Sequence, residues 1–382
     1  MTEQQVTMKK EMSLYLDLVR FAAAFMVFVE HFRERTKRGF YEFWVDHPFL
    51  YTHLNPYSQT AVIIFFVLSG FVIAHVLVTR ERTPLEFFAS RFARLYSVVL
   101  PTLILVAGTN YLETLRYPHA FDAYGDRITV FFDYLRAWLF VSNFWLWQDV
   151  EVASAPFWSL SLEVAYYAGI GLFVFARGRI RFLSLIALCL AAGPTMVLLA
   201  PTWLLGYWAY NLTQRRQMPA GVGVALWSLS TFLLVLCPLI EIHLRQPLPF
   251  LRMPDKHLGE LVASYAAAAC FALNIITFND FCDRIKMLFK PFVRLIRWLG
   301  SITFALYMFH MPILSFFTVY PVGERGSVTQ LIAMIGGTLL IVATVGYFCE
   351  RSKASYKRGF LWAYDRMFAR PPPPTIAPPV IP

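Results

Sequence analysis

Long apolar runs separated by short polar segments extend over most of the chain. A hydrocarbon core about 30 Å thick is crossed by roughly 20 apolar residues in α-helix. Runs of this kind lie near 14–32, 58–79, 92–110, 156–176, 181–199, 201–211, 220–242, 259–279, 294–319 and 328–349. The sixth run is short, and Tyr134 to Trp147 has the character of an interfacial or re-entrant helix, so the count is approximate. The pattern predicts an all-α polytopic membrane protein with about ten transmembrane helices.

The basic residues between these runs predict the orientation. With both termini in the cytoplasm, the inner loops carry about twice as many Lys and Arg residues as the outer ones, which is the positive-inside bias. The largest external loop is then 111–155. We expect a multi-pass protein of the cell inner (cytoplasmic) membrane with both termini cytoplasmic.

Composition agrees with lipid as the main solvent. Hydrophobic residues make up 58% of the 382 positions and charged residues 15%, and the mean hydropathy is +0.53. The formal charge of +10 is explained by topology, because no soluble basic domain with interleaved aromatics indicates nucleic-acid binding. We expect one transmembrane domain over 1–365 and a Pro-rich, disordered tail over 371–382.

The cysteines argue against a disulfide framework or a metal site, and the N-terminal apolar run argues against a cleaved signal peptide. The five cysteines sit in or beside apolar runs rather than at paired loop spacings, so they predict packing and neither a disulfide framework nor a metal site. The first run contains Asp17 and Arg20 and lacks a cleavage site, so we expect it to be retained. No internal repeat is evident, which weakens an inverted-repeat transporter interpretation.

Arg20 and His31 are two polar residues that the pattern places inside the first span. They are eleven positions apart, which returns to within roughly 20° of one helix face with about 16 Å of rise. Both could therefore line one cavity at different depths. The alternative is an interfacial histidine and a snorkelling arginine.

Glu163 and His310 lie inside two later spans. An unpaired carboxylate at the depth of Glu163 would be costly, and a buried structural pair with an arginine is the alternative to a catalytic role. His310 follows Tyr307 in the outer half of its span, where a single histidine is more often hydrogen-bonded structure than a ligand.

Four further polar residues have ordinary explanations when each is taken alone. Arg91 and Arg94 lie three apart on one helix face and could grip phosphate, although basic residues at a cytoplasmic helix end are common topology signals. An ion pair of Glu350 with Arg351 is the default at the inner boundary. Ser69 precedes Gly70, which suggests small-residue helix packing.

Taken in order, these elements resemble the acyltransferase-3 family of integral membrane O-acyltransferases. The segments that carry the resemblance are Leu16-Asp-Leu-Val-Arg20 with His31, Phe65-Phe-Val-Leu-Ser-Gly-Phe71, Arg91-x-x-Arg94, Trp158-Ser-Leu-Ser-Leu-Glu163 with Tyr166-Tyr167, Leu299-Gly-Ser-Ile-Thr-Phe-Ala-Leu-Tyr-Met-Phe-His310 and Tyr347-Phe-Cys-Glu-Arg351. Each is weak alone, and the specificity lies in the ordered set. The sequence departs from the family pattern at Leu18, Val19 and Ala165, and no fused hydrolase-like domain is expected after the last span.

The resemblance implies transfer of an acyl group, usually acetyl, from acetyl-coenzyme A to a hydroxyl of a carbohydrate or related cell-envelope acceptor. By this analogy His31 is the central catalytic residue, with Arg20 as its partner. Arg91 and Arg94 handle coenzyme A, with Ser69 beside them. Further site candidates are His310, Tyr307 and Glu350.

Acyl transfer to an alcohol needs a base and a group that stabilises the oxyanion. His31 can be the base, Glu163 can orient its ring or carry a second proton, and Arg20 can hold charge near the thioester. No metal is implied. The partners expected are the bilayer, acyl-coenzyme A and the carbohydrate, with a homodimer left open.

Two other function classes stay open from the residues alone. In a proton-coupled carrier or flippase for a glycan or small polar substrate, the buried histidine and glutamate would relay protons. In a structural or sensory protein, substitution of the charged intramembrane set would be silent.

Overall fold

The structure of the protein is a computed structural model, which describes residues 8–37, 40, 57–119, 126–144, 156–243 and 258–368. These residues form helices and connecting turns without strands. The helices are α1 (Lys10–Thr36), α2 (Tyr57–Thr79), α3 (Pro84–Arg116), α4 (Arg127–Trp138), α5 (Phe157–Phe175), α6 (Gly178–Ala192), α7 (Pro194–Arg215), α8 (Ala220–His243), α9 (Leu258–Phe281), α10 (Val293–Val319), α11 (Val328–Ile341), α12 (Tyr347–Arg351) and α13 (Lys353–Phe368).

Seven helical segments in the described residues are long and apolar enough to cross a membrane, and the bent pair α6–α7 makes an eighth. The longest segment, Leu258–Val319, has 62 residues and would measure roughly 93 Å as one helix. It holds two of the predicted crossings, α9 and α10, because short helical turns over 282–292 interrupt it. The all-α, multi-pass prediction is confirmed, and ten is an approximate count.

The break between the fifth and sixth predicted spans falls elsewhere than expected. Gly193, with φ of 89°, ends α6, and Pro194 begins α7 at a position where a missing N–H costs nothing. The two helices are bent by 117°. The sequence places the break at residue 200, between the runs 181–199 and 201–211, but this position lies inside α7.

The helix expected between Tyr134 and Trp147 begins earlier. Asp126 caps α4 by accepting from the Thr129 backbone N–H at 2.9 Å, and this bond lowers the pKa of the Asp126 carboxyl. Tyr134 lies on α4 and contacts Asn110 of α3, whereas Trp147 and the tail 371–382 lie outside the described residues.

Side-chain contacts group the helix ends into two sets. Lys9, before α1, pairs with Asp283 after α9 at 2.6 Å. At the opposite ends, Arg325 donates to the Tyr117 hydroxyl at 2.7 Å. This grouping agrees with the alternation of predicted inner and outer loops, and the assignment of one set to the cytoplasm stays a prediction.

Close helix crossings hold the centre of the bundle together. A Cβ added to Gly206 of α7 would lie 1.9 Å from the Val67 carbonyl oxygen of α2, and one added to Gly70 would lie 2.1 Å from the Trp203 carbonyl oxygen. On the other side, a Cβ at Gly300 of α10 would lie 2.8 Å from the Asp17 Cβ of α1. Glycine at these positions lets α2 meet α7, and α10 meet α1, at backbone contact.

Candidate active site

A partly enclosed cavity lies between α1, α2, α3, α5 and α10. Its empty volume is about 700 Å³ including the open mouth. The cavity brings together six of the nine residues that the sequence predicts for the site, namely Arg20, Ser69, Arg91, Arg94, Glu163 and Tyr307. Val62, Phe65, Phe66 and Leu160 form an apolar part of the wall. Positive charge and apolar surface therefore meet in one space, as a charged donor with a short acyl group would require.

Arg20 and Arg94 form the charged part of the wall. The Arg20 Nη1 atom lies 3.7 Å from the Asp17 carboxylate one turn earlier, and Asp17 also accepts from Arg297. The Arg94 guanidinium makes no hydrogen bond or ion pair within the part of the chain that the structure describes, although Glu163 and Glu350 lie within electrostatic range. The guanidinium of Arg94 is thus open to an incoming anion.

Arg91 is engaged by the protein itself. Its guanidinium donates to the Glu81 carboxylate, and the two side chains are 7% and 11% exposed. The same guanidinium lies 5.2 Å from the centre of the Phe87 ring, a cation–π distance. Arg91 and Arg94 therefore differ in how much of their charge a ligand could use.

The Glu163 carboxylate lies at the end of a chain of donors. Trp203 Nε1 donates to Ser69 Oγ at 3.1 Å, Ser69 Oγ donates to Glu163 Oε1 at 2.9 Å, and the Tyr167 hydroxyl donates to the same oxygen. The Ser69 and Tyr167 hydroxyls thereby hold Oε1 of Glu163 in place, and Trp203 holds Ser69. Glu163 and Ser69 are among the residues that the sequence predicts for the site, whereas Trp203 is not, because it lies inside the apolar run 201–211.

Tyr307 connects the cavity to the histidines. Its hydroxyl and the Ser159 hydroxyl are 2.6 Å apart, and both residues line the cavity. The centre of its ring lies 6.4 Å from that of His310. The polar wall thus continues from the arginines towards the outer half of α10.

His31 and His310 contact each other rather than the carboxylate of Glu163. The distance from His31 Nδ1 to His310 Nε2 is 3.0 Å, and neither ring belongs to the cavity wall. Along α1 the histidine lies about 16 Å beyond Arg20. The predicted residues are therefore arranged in two layers, one of arginines and one of histidines.

Glu350 does not line the cavity but contacts the backbone of α10, which does. Its Oε1 atom accepts from the backbone N–H of Phe304 at 3.0 Å and of Ala305 at 3.2 Å. A π-helical turn, Val342–Gly346, precedes it, and such turns change which face the following side chains occupy. The default ion pair with Arg351 is wrong, because Arg351 donates to the Tyr347 hydroxyl instead.

No group of three or more His, Cys, Asp or Glu side chains that could hold a metal ion occurs among the residues with described positions. The expected independence from metal stays a prediction.

Comparisons with known proteins agree with the family that the motifs indicate. The family model described as "Acyltransferase domain", Acyl_transf_3, matches residues 13–347. The chain is 25% identical over 309 residues to a protein of Bacillus subtilis (strain 168) named "Putative peptidoglycan O-acetyltransferase YrhL". This similarity covers 69% of the chain but spans only 45% of the relative. No solved structure matches the chain.

Proposed function

The chain belongs to the acyltransferase-3 family. From that premise we propose that it is a membrane O-acyltransferase, which transfers an acetyl group from acetyl-coenzyme A to a hydroxyl of a cell-envelope carbohydrate. The observation that carries the proposal is a cavity in which Arg94, whose guanidinium has no partner among the described residues, and an oriented carboxylate, Glu163, share one wall. That wall leads through Tyr307 to a histidine pair. A carrier would not need an anion-binding site at the arginines that is separate from a base at the histidines.

The donor occupies the arginine layer in this proposal. Coenzyme A carries its phosphates at one end and its thioester at the other, with the pantetheine arm between them. Arg94 and Arg20 suit the anionic end, because guanidinium groups bind phosphate through charge-assisted hydrogen bonds. The thioester then extends along the cavity towards Tyr307 and the histidines.

The chemistry follows the usual course of acyl transfer to an alcohol. His31 takes the proton of the acceptor hydroxyl as its oxygen attacks the thioester carbonyl carbon. The C–O bond forms, the tetrahedral oxyanion collapses, and the C–S bond breaks. The proton held by His31 passes to the leaving thiolate, so that one acetyl ester and one coenzyme A thiol result.

Two further features of the proposal concern the acceptor and the membrane. The acceptor approaches the histidine layer from outside the cytoplasm, and the donor enters from the inner face of the cytoplasmic membrane. The name of the Bacillus relative makes peptidoglycan glycan strands the first acceptor to test. The similarity spans less than half of that relative, so its acceptor is carried over to this chain only as a proposal.

The decisive experiment compares cells that carry the native gene, a His31→Ala variant or no gene. Mass spectrometry of envelope glycans should show an acetyl increment with the native chain and lose it in both other strains. In parallel, membranes supplied with acetyl-coenzyme A should release the coenzyme A thiol with the native chain and not with His31→Ala.

His75→Ala is the matched control, because His75 is another helix-borne histidine but pairs with Tyr210 at 3.3 Å outside the cavity. It should retain transfer. An acetyl increment that persists in a normally accumulated His31→Ala protein would remove His31 from the mechanism, and glycan movement without thioester consumption would identify a carrier.

A further inference from the structure

The two histidine rings are held in a defined order. His310 Nδ1 lies 2.9 Å from the Leu306 carbonyl oxygen on its own helix, and His310 Nε2 lies 3.0 Å from His31 Nδ1 on α1. The ring centroids are 5.1 Å apart. A chain of contacts thus runs from a backbone carbonyl through His310 to His31.

The Leu306 carbonyl oxygen determines which ring nitrogen of each histidine carries the hydrogen. A carbonyl can only accept, so the hydrogen of this contact belongs to His310 Nδ1. A neutral imidazole with hydrogen on Nδ1 has its lone pair on Nε2, and this atom accepts from His31. His31 therefore carries its hydrogen on Nδ1, which leaves the lone pair of its own Nε2 available.

Burial gives the two rings different roles. His310 is 0% exposed and packs beside the rings of Phe28 and Tyr307 at centroid distances of 6.3 and 6.4 Å. His31 is half-buried, and within the described residues its ring also has a hydrogen-bond contact with the backbone of Val27, one turn earlier on α1. Of the pair, His31 is the ring that a hydroxyl can reach.

We propose that His310 is a positioning residue, which holds His31 in the Nδ1–H tautomer and thereby presents Nε2 as the base for acyl transfer. This inference rests on the proposed function and assigns the orientation of His31 to His310 rather than to Glu163. The physical reason is that a base works only when its lone pair faces the proton it abstracts, and the wrong tautomer presents an N–H there instead.

Three substitutions of His310 separate this role from simple packing. A Gln side chain places its amide oxygen close to where Nε2 of histidine lies, whereas Asn reaches only the position of Nδ1 and Leu offers no acceptor. Purified variants in lipid nanodiscs are assayed with acetyl-coenzyme A and peptidoglycan glycan strands as probes. Coenzyme A thiol release and acetyl incorporation are measured, together with accumulation and thermal unfolding.

The expected result is a ranking by acceptor position. His310→Leu and His310→Asn should lower kcat at least about a hundredfold while the KM for acetyl-coenzyme A stays within about twofold. His310→Gln should retain kcat within about tenfold of the native value. The double variant His31→Ala with His310→Leu should be no less active than His31→Ala alone, because both act through one ring.

The outcomes separate the positioning role from the proposed function. Native kcat in His310→Leu beside an inactive His31→Ala would overturn the positioning role and leave the function intact. Retained transfer in His31→Ala would overturn both. Should the Leu variant not accumulate, Asn and Gln decide the question, and equal kcat values for these two at normal accumulation would contradict the proposal.

Discussion

Arg91 and Arg94 are three residues apart on α3, but their guanidinium groups have different surroundings. Arg91 is buried against Glu81, so its charge is already balanced inside the protein. Arg94 lines the same cavity but keeps its guanidinium without a hydrogen-bonded or ion-pair partner across the described residues. At the residue scale, the motif therefore combines one structural and one ligand-facing arginine.

We expect Arg94→Ala to raise the KM for acetyl-coenzyme A roughly tenfold or more at normal accumulation, since a charge-assisted hydrogen bond contributes about 1.5–3 kcal/mol. Arg94→Lys should lie between, because it keeps the charge and loses the planar fork. Initial rates of coenzyme A release at varied donor concentration provide the measurement. An unchanged KM in Arg94→Ala would show that the donor phosphates bind elsewhere.

Arg91→Ala should act mainly on stability. It leaves the Glu81 carboxylate buried without its partner, which costs about 3 kcal/mol when a buried pair is broken from one side. The protein level in membranes and the unfolding temperature in detergent should both fall. The double variant Arg91→Met with Glu81→Met should recover much of the loss, and a failure to recover would indicate a direct role of Arg91 in transfer.

At the scale of elements, one helix crossing orients the carboxylate of the site. The contact of α2 with α7 at Gly70 and Gly206 is close enough for Trp203 to donate to Ser69, and through Ser69 to fix Glu163. The geometry of a catalytic candidate thus depends on a helix that contributes no charged residue to the cavity.

Gly206→Ala tests this dependence. The added methyl would lie 1.9 Å from the Val67 carbonyl oxygen, so the helices must separate and the Trp203–Ser69 hydrogen bond must lengthen. We expect a lower unfolding temperature in detergent and a drop in transfer of roughly tenfold or more, as misplaced catalytic groups lose rate steeply.

Gly336→Ala is the matched control for the crossing. It lies within α11 with nothing within 4 Å of the added Cβ, so it should be neutral or stabilising by up to about 1 kcal/mol from helix propensity alone. Equal loss of activity in the two variants would mean that glycine flexibility, rather than the close crossing, matters.

At the scale of the whole molecule, the two sets of helix ends allow the predicted orientation to be tested. Asp283 and Arg325 lie at opposite ends of the bundle, and both are exposed. A cysteine at 283 should react with a membrane-impermeant maleimide only after permeabilisation, whereas one at 325 should react in intact cells. The native chain, with its five cysteines, is the blank.

The reverse pattern of labelling would place the arginine layer on the outer side and would exclude a cytoplasmic donor for this cavity. The Asp283→Cys change itself should be mild, because the exposed ion pair with Lys9 contributes less than about 1 kcal/mol. Labelling can therefore be compared at similar protein levels.

The sequence by itself determined the fold class and the family. Apolar runs of membrane length are local properties, because each helix satisfies its own backbone hydrogen bonds in lipid, and the ordered motifs named the residues of the site. The pattern of apolar runs placed one helix break at the wrong residue. The break predicted at residue 200 lies inside α7, where Pro201 is accommodated in the helix, and the bend falls at Gly193 with its positive φ instead.

Only the tertiary structure decided which contacts each candidate site residue makes. Glu81, the partner of Arg91, lies in the connection between α2 and α3, Ser69 on α2 contacts Glu163 on α5, and His31 and His310 are 279 positions apart in the chain. A side chain's charge, tautomer and access to a ligand depend on such contacts, and no run or spacing along one helix encodes them. The sequence could therefore identify the arginines and histidines, but the packing of α1, α3 and α10 decides which of them are paired inside the protein and which face the cavity.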